Sequence, residues 1–457
     1  MKLRPSLLAT IAALCIAAGA GRAQYVEDSI DVGGAWVGSL VYNSRADVIY
    51  GESESQGLLF AISCGSNRVI ATQQLSGALE LAYDSTDNKA WCSYYGSAQE
   101  SLAVIDGATH SVIKRIEMPG ATIPVWDRVS DRVYVSCQNS ARVAVVDAKT
   151  DSLLTYIPVG ATPMKMYLNS LRRKLYVQNY DGFTVSIIDL GTNQVIKALV
   201  VGGTPNAGYY CRKADKFYSA GKDNQCVVIS GLTDTIVRRI SMPGIDGMLS
   251  ATGNEQAGIV FTGMLEGNSG YIAAIDAEAD TVLHIHYLGH ACAQGLLYSP
   301  KSSYVYSANY PNSVDVLAGD GSRVIEELPL GDAPFVLASA PSHDRVYVGN
   351  LGTSCVYVLR DNEAVSASPR PESCGVLSAT PNPFTRTLSV VWNILTKGSD
   401  VARVYAQDGG LVRQTRIPHG VSRWVWDGLD DSGATLPPGV YVLEAGPGVR
   451  AKVVKLK

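Results

Sequence analysis

Apolar and polar residues alternate along most of this chain in runs of four to seven, and clusters of Gly, Asn, Asp and Ser break the runs. Runs of this length, rich in β-branched and aromatic side chains, predict short strands. The stretch Ala161 to Gly202 gives the clearest unit, with strands expected at Met164–Leu168, Leu175–Gln178, Val185–Asp189 and Val195–Val201. The cadence repeats. Gly33, Gly77, Gly120, Gly160, Gly202, Gly244, Gly289 and Gly331 follow one another at intervals of 40 to 45 residues. Four-stranded units at that period predict an all-β chain built as a β-propeller. Eight third strands, from Leu58–Ser63 to Val356–Leu359, predict eight blades; the irregular span Ile245–Gly289 keeps seven as the alternative.

From Asp361 onward the chain turns polar and proline-bearing, so the eighth unit has no fourth strand of its own. Ser29-Ile30-Asp31-Val32-Gly33 matches the end of a fourth strand, as in Tyr156-Ile157-Pro158-Val159-Gly160. It is expected to pair with the third strand near Val356–Leu359 and close the ring, leaving no open edge between blades.

Second strands end on a recurring phrase: Tyr176-Val177-Gln178-Asn179, Tyr306-Ser307-Ala308-Asn309 and Tyr347-Val348-Gly349-Asn350. Weaker copies are Tyr134-Val135-Ser136-Cys137 and Tyr218-Ser219-Ala220-Gly221. In these the chain resembles the YVTN family of bacterial propeller repeats over residues 25–360. The resemblance implies the fold. It implies no single activity, because the family spans surface proteins, periplasmic binding proteins and propellers attached to redox enzymes.

Residues 361–376 have linker composition, and residues 377–457 return to short alternating segments that predict a small antiparallel β-sandwich. Its punctuation is Pro381-Asn382-Pro383-Phe384, the hairpin from Trp426 to Gly433, Leu436-Pro437-Pro438-Gly439-Val440-Tyr441 and a basic end at Lys452–Lys457. This combination resembles the FlgD-type immunoglobulin-like domain and type IX secretion sorting domains. Such a resemblance implies secretion or surface-attachment machinery as a partner and no chemistry of the module's own. Asp427, Asp430 and Asp431 carry calcium-type donors, but an Asp-Gly hairpin needs the same residues for conformation alone.

The first 23 residues read as a secretory signal, with Lys2 and Arg4, an apolar run Leu7–Ala18 and the small-residue site Gly21-Arg22-Ala23. An exported chain starting at Gln24 is expected, destined for the extracellular space or outer cell surface, with the periplasm as alternative. No later apolar run is long enough to predict a membrane span. The net charge of −4 divides into +3 over residues 1–23, −11 over residues 24–376 and +4 over residues 377–457, and an acidic propeller disfavours nucleic acid. Nine cysteines show no disulfide framework; Cys92 with Cys137 and Cys355 with Cys374 are the pairings considered.

Candidate chemistry is sparse. The chain lacks C-x-x-C-H, H-E-x-x-H, G-x-S-x-G and the phosphate-binding G-x-x-x-x-G-K-[ST], so the reading is non-enzymatic, with no cofactor expected. His284 and His286 share one face of a strand, the geometry two imidazoles need on one divalent metal; a solvated outer strand is the plain alternative. Loops between second and third strands are rich in Asn, Ser, Gly and Tyr, the mix found on recognition surfaces. Tyr94, Tyr95, Asn179, Tyr180, Asn309, Tyr310 and Asn350 are the candidate contacts for a protein or glycan; for the three asparagines, a turn residue bonding its own backbone is the plain alternative. The rival readings are a lactonase-like or redox-associated propeller, with Glu52, Glu54, Glu100, Asp181 and Asp223 as candidate ligands, and a purely structural surface protein.

Overall fold

Each predicted four-strand unit becomes one antiparallel sheet. The computed structural model describes residues 24–95, 100–242, 245–289, 292–331, 333–362, 376–380, 384–393, 401–406, 410–416, 423–445 and 450–456. Residues 1–23, read above as a secretory signal, and Cys374 lie outside these residues. Two compact units result, residues 1–365 and 366–457. The first holds eight four-stranded sheets. Blade four is typical, with strands Pro163–Asn169, Lys174–Asn179, Thr184–Asp189 and Gln194–Val200. First strands of successive blades touch one another all the way round, and that of blade eight touches that of blade one. The ring is a closed propeller with first strands innermost.

Position in the blade sets the sequence of each strand. Second and third strands are covered on both faces by neighbouring blades, so they are continuous apolar runs such as Leu175–Val177. Fourth strands form the rim, and Arg68–Gln74 alternates exposed with half-buried residues. In blades one to seven the third and fourth strands slip register once, as between Ile187 and Ile188. Such bulges sharpen strand twist.

The ring closes as expected. Gln24–Asp31 pairs with Cys355–Asp361 as the fourth strand of blade eight, with Ile30 opposite Val356. Glu27 locks the seam by accepting from Arg345 Nε at 2.9 Å and Arg360 Nη2 at 2.8 Å. The Arg345 bond holds its carboxyl below the ordinary range, against the opposing effect of burial.

The tyrosine of the recurring phrase has a purpose that its sequence did not state. Tyr134, Tyr218 and Tyr347 are buried, and their hydroxyls cross to the next blade, donating to Asn193, Asp280 and Asn67 at 2.7–2.9 Å. All three acceptors sit at left-handed φ in the turn between third and fourth strands. Lysines at the head of the second strand clamp the same class of turn: Lys89 to Asp151, Lys174 to Asp234 and Lys216 to Asp280, at 2.6–2.8 Å. A hydrogen bond to a charged group contributes about 1.5–3 kcal/mol.

Cys92 and Cys137 are not joined, contrary to one expected pairing. Cys92 packs between blades one and two and Cys137 between blades two and three, so the two side chains serve different interfaces.

The second unit has a three-stranded sheet (Val376–Thr380, Leu388–Asn393, Arg423–Trp426) and a four-stranded sheet. The latter runs in the order Leu411–Arg416, Val401–Ala406, Gly439–Ala445, Arg450–Lys455. Residues of both enclose one core around Trp426, which packs on Phe384 and Tyr441. The acidic hairpin is a conformational device. Asp430 Oδ1 accepts from the amides of Ser432 and Ala434 at 2.9 Å, and Asp427 Oδ1 from that of Leu429 at 3.1 Å.

Candidate functional site

The loop end of the propeller, where second strands run into third and each blade crosses to the next, is built on left-handed turns. Between second and third strands the left-handed residue is Gly57, Ala141, Phe183 or Asn224. Its carbonyl accepts the amide just past the fourth strand, that of Leu75, Val159, Val201 or Met242. In the blade-to-blade crossings the equivalent residue is Trp36, Thr162 or Ala333, whose carbonyl accepts from Glu54, Tyr180 or Leu351.

Gly, Ala, Asn and Thr suit these turns, and two large aromatics stand among them. Trp36, at φ 64°, is 55% exposed, and Phe183, at φ 52°, is 48% exposed. A left-handed conformation costs an L-residue about 1–2 kcal/mol, and side chains left about half exposed recover only part of that through burial. Tyr310, at the end of blade seven's second strand and preceding a cis Pro311, is 53% exposed. Tyr180 is half-buried, its ring 5.7 Å from Lys222 Nζ, and the Lys222 contact lowers its hydroxyl pKa.

The other sequence candidates sit deeper. Asn179, Asn309 and Asn350 are fully buried and staple their own loops: Asn179 Nδ2 donates to Ser186 Oγ at 2.9 Å, Asn309 Nδ2 to Ser313 Oγ at 3.4 Å, and Asn350 Nδ2 to the Cys355 carbonyl at 2.9 Å. Tyr94 is buried between blades one and two. For Tyr95 and Glu100 only the strand is described.

His284 and His286 do share a face, with ring centroids 6.3 Å apart on the rim strand Thr281–Tyr287. His286 Nε2 lies 2.7 Å from the Gly321 carbonyl. Neither belongs to a three-ligand cluster among the described residues. Glu52, Glu54, Asp181 and Asp223 do not form one either; Asp181 accepts from Thr162 at 2.6 Å.

Charge does gather at the inner wall. Glu80 in Ala78–Asp84 and Lys165 in Pro163–Asn169 occupy the same place on first strands of blades two and four, within a register break, and interact electrostatically. Burial pushes the Glu80 carboxyl up and the Lys165 ammonium down, and each charge opposes the other's shift. Alternation fails at a bulge, so these two could not be assigned to the wall by counting. Beside them, Glu52 occupies the place that Gln178 holds in blade four. Gln178 Nε2 donates across to Ala207 and Ser219. Glu52 has no such donor. Its Oε1 takes the Gly38 amide at 2.9 Å and its buried Oε2 has no partner. Burial, aided by the charges of Glu80 and Glu54, pushes its carboxyl up to about 8.

No known family profile matches the chain. Two relatives do: uncharacterized YncE proteins of Salmonella typhi and Salmonella typhimurium, each 21% identical over 144 residues. The match covers 30% of this chain and 40% of the relative, so the chain spans about two fifths of the relatives' length. Among solved structures, the computationally designed protein Ika8 superposes with a TM-score of 0.59 at 14% identity, covering 72% of this chain and 98% of that one. These likenesses support a YVTN-like β-propeller. They carry the fold and no activity.

Proposed function

We propose that this is an exported, non-enzymatic propeller that binds a protein or glycan through its loop end, with the C-terminal module serving sorting or surface attachment. The observation that carries the reading is the pair Trp36 and Phe183. Both hold an unfavourable backbone conformation in positions where other blades place small residues, and both present an aromatic surface to solvent. Backbone strain at a large side chain left about half exposed points to a role outside folding. Exposed Trp and Tyr are the side chains that anchor binding interfaces, and Tyr180 and Tyr310 extend the same surface. The C-terminal role rests on the sequence resemblance alone.

The test compares the full chain with Trp36→Gly and Phe183→Gly. Glycine suits the left-handed turn, so each variant is expected to melt at or above the parent temperature. Capture on a glycan array, or from a surface extract of the native host, is expected to fall at least tenfold. Undiminished capture by both variants, or no capture by the parent, would refute the reading.

A further inference from the structure

At the turn end of the propeller, the last residue of a first strand meets the left-handed residue of the next blade's first turn at several junctions. Between blades one and two, Asn43 Nδ2 donates to Asn88 Oδ1 at 3.0 Å. Between blades three and four, Asp127 pairs with Arg173 at 3.4 Å. Between blades four and five, Asn169 Nδ2 and Asp215 Oδ1 both lie against Gly231. The junctions on either side of blades two and three thus set a donor opposite an acceptor. The junction of blades two and three sets Asp84 opposite Asp131, with Asp87 as a third carboxylate.

One oxygen from each of these three lies within 4.8 Å of the others. Asp84 is 0% exposed. Its Oδ1 is taken by the amides of Thr86 and Asp87, at 2.7 and 3.1 Å, and its buried Oδ2 has no hydrogen-bond partner. Asp87 Oδ2 is likewise buried without a partner, while Asp131 Oδ1 accepts from Trp126 Nε1 at 3.2 Å. No ion pair reaches the three among the described residues. Lys89, in the same blade, is committed to Asp151 and the Ala148 carbonyl, and Arg45 donates to the Thr86 carbonyl. Burial chiefly, and then the charges of Asp131 and Asp87, push the Asp84 carboxyl up. A buried carboxylate facing two others without a counter-charge is costly.

We propose that Asp84, Asp87 and Asp131 hold a hard divalent cation, calcium by the chemistry of the ligands, which fastens blade two to blade three where the junctions on either side use a side-chain donor. An all-oxygen carboxylate set selects such ions over zinc, which prefers nitrogen and sulfur. Calcium–oxygen bonds of about 2.3–2.6 Å let one ion bridge oxygens at this spacing.

The test uses the full chain stripped of metal and titrated with CaCl2 alone, read by calorimetry and thermal melting, with MgCl2 and ZnCl2 as comparators. A calcium heat is expected together with a melting temperature that rises by a few degrees, since ligand at a hundredfold excess over Kd shifts the folding equilibrium about 100-fold. Asp84→Asn supplies a donor of the kind Asn43 gives. It should abolish the calcium response while the metal-free variant melts no lower than the metal-free parent. A parent without calcium heat or shift, stabilised by acid alone, would mean a shared proton and overturn the proposal. A response surviving in both Asp84→Asn and Asp131→Asn would overturn it as well.

Discussion

The closing strand can be tested at one side chain. Ile30 is 6% exposed and lies in the core that joins blades eight and one, with Val32, Phe60, Val356 and Val358. Ile196 stands on the rim strand of blade four and is 45% exposed. Both are isoleucines on fourth strands, so Ile30→Ala and Ile196→Ala differ only in whether the strand's inner face is sealed. Truncating a buried Ile costs about 2–5 kcal/mol through lost transfer energy and the cavity left behind, while an exposed substitution stays within about 0.5 kcal/mol. A propeller of about 340 residues unfolds with an entropy near 0.7 kcal/mol/K, from roughly 2.1 cal/mol/K per residue. A loss of about 3 kcal/mol therefore lowers Tm by about 4 °C, against less than about 1 °C at Ile196. Thermal melting of the full chain at pH 7 separates these values. If Ile30→Ala melts no lower than Ile196→Ala, the N-terminal strand does not seal the ring.

Glu27→Gln should weaken the same seam in a pH-dependent way. The folded Glu27 carboxyl is depressed by Arg345, so its stabilisation is complete above the ordinary carboxylate range and lost as pH falls through the folded value. The Tm gap between parent and variant should accordingly be widest at pH 7 and shrink toward pH 3; a constant gap would remove the ion pair from the account. Glu52 predicts the opposite sign. Its carboxyl, raised to about 8, keeps its proton in the fold and sheds it on unfolding, so stability declines as pH climbs from about 4.5 toward 8. Glu52→Gln, which copies Gln178, should gain Tm relative to the parent more at pH 8 than at pH 5, and equal differences would contradict the burial argument. Tyr218→Phe removes the hydroxyl that donates to Asp280 at 2.7 Å and should cost about 1.5–3 kcal/mol, a Tm loss of about 2–4 °C. An unchanged melt would show that Lys216 alone secures that turn.

Blade number and ring closure were legible because both depend on local patterning: a strand between two covered faces must be apolar throughout, and a rim strand must alternate. The site was less so. Asn179, Asn309 and Asn350 fitted both a ligand contact and a turn staple in sequence, and each bonds the backbone or hydroxyls of its own loop and is buried. An asparagine that satisfies its neighbours and one that greets a ligand have the same sequence signature. Trp36 and Phe183 were passed over because their distinguishing feature is a backbone angle. Aligning Phe183 with Gly57 and Asn224 would have exposed the anomaly, since those residues tolerate φ > 0 and Phe does not. Glu80 and Lys165 were hidden by the bulge that reverses the count of inward positions.

The two ends of the blades divide the work, and this explains why the repeat reveals the scaffold better than the ligand. At the turn end, stability depends on particular side chains: a Tyr hydroxyl or Lys ammonium from one blade must meet an Asn or Asp in the next. Those residues recur because several junctions use them. At the loop end the recurring bond runs backbone to backbone, from the amide of Leu75 or Val201 to the carbonyl of Gly57 or Phe183. That bond survives any side chain that tolerates the turn. Loop tips are therefore free to diverge blade by blade, and only at such positions can a propeller acquire a Trp or Phe at the cost of local strain alone. A substitution at the turn end should thus register first in melting temperature, and one at the loop tips first in binding.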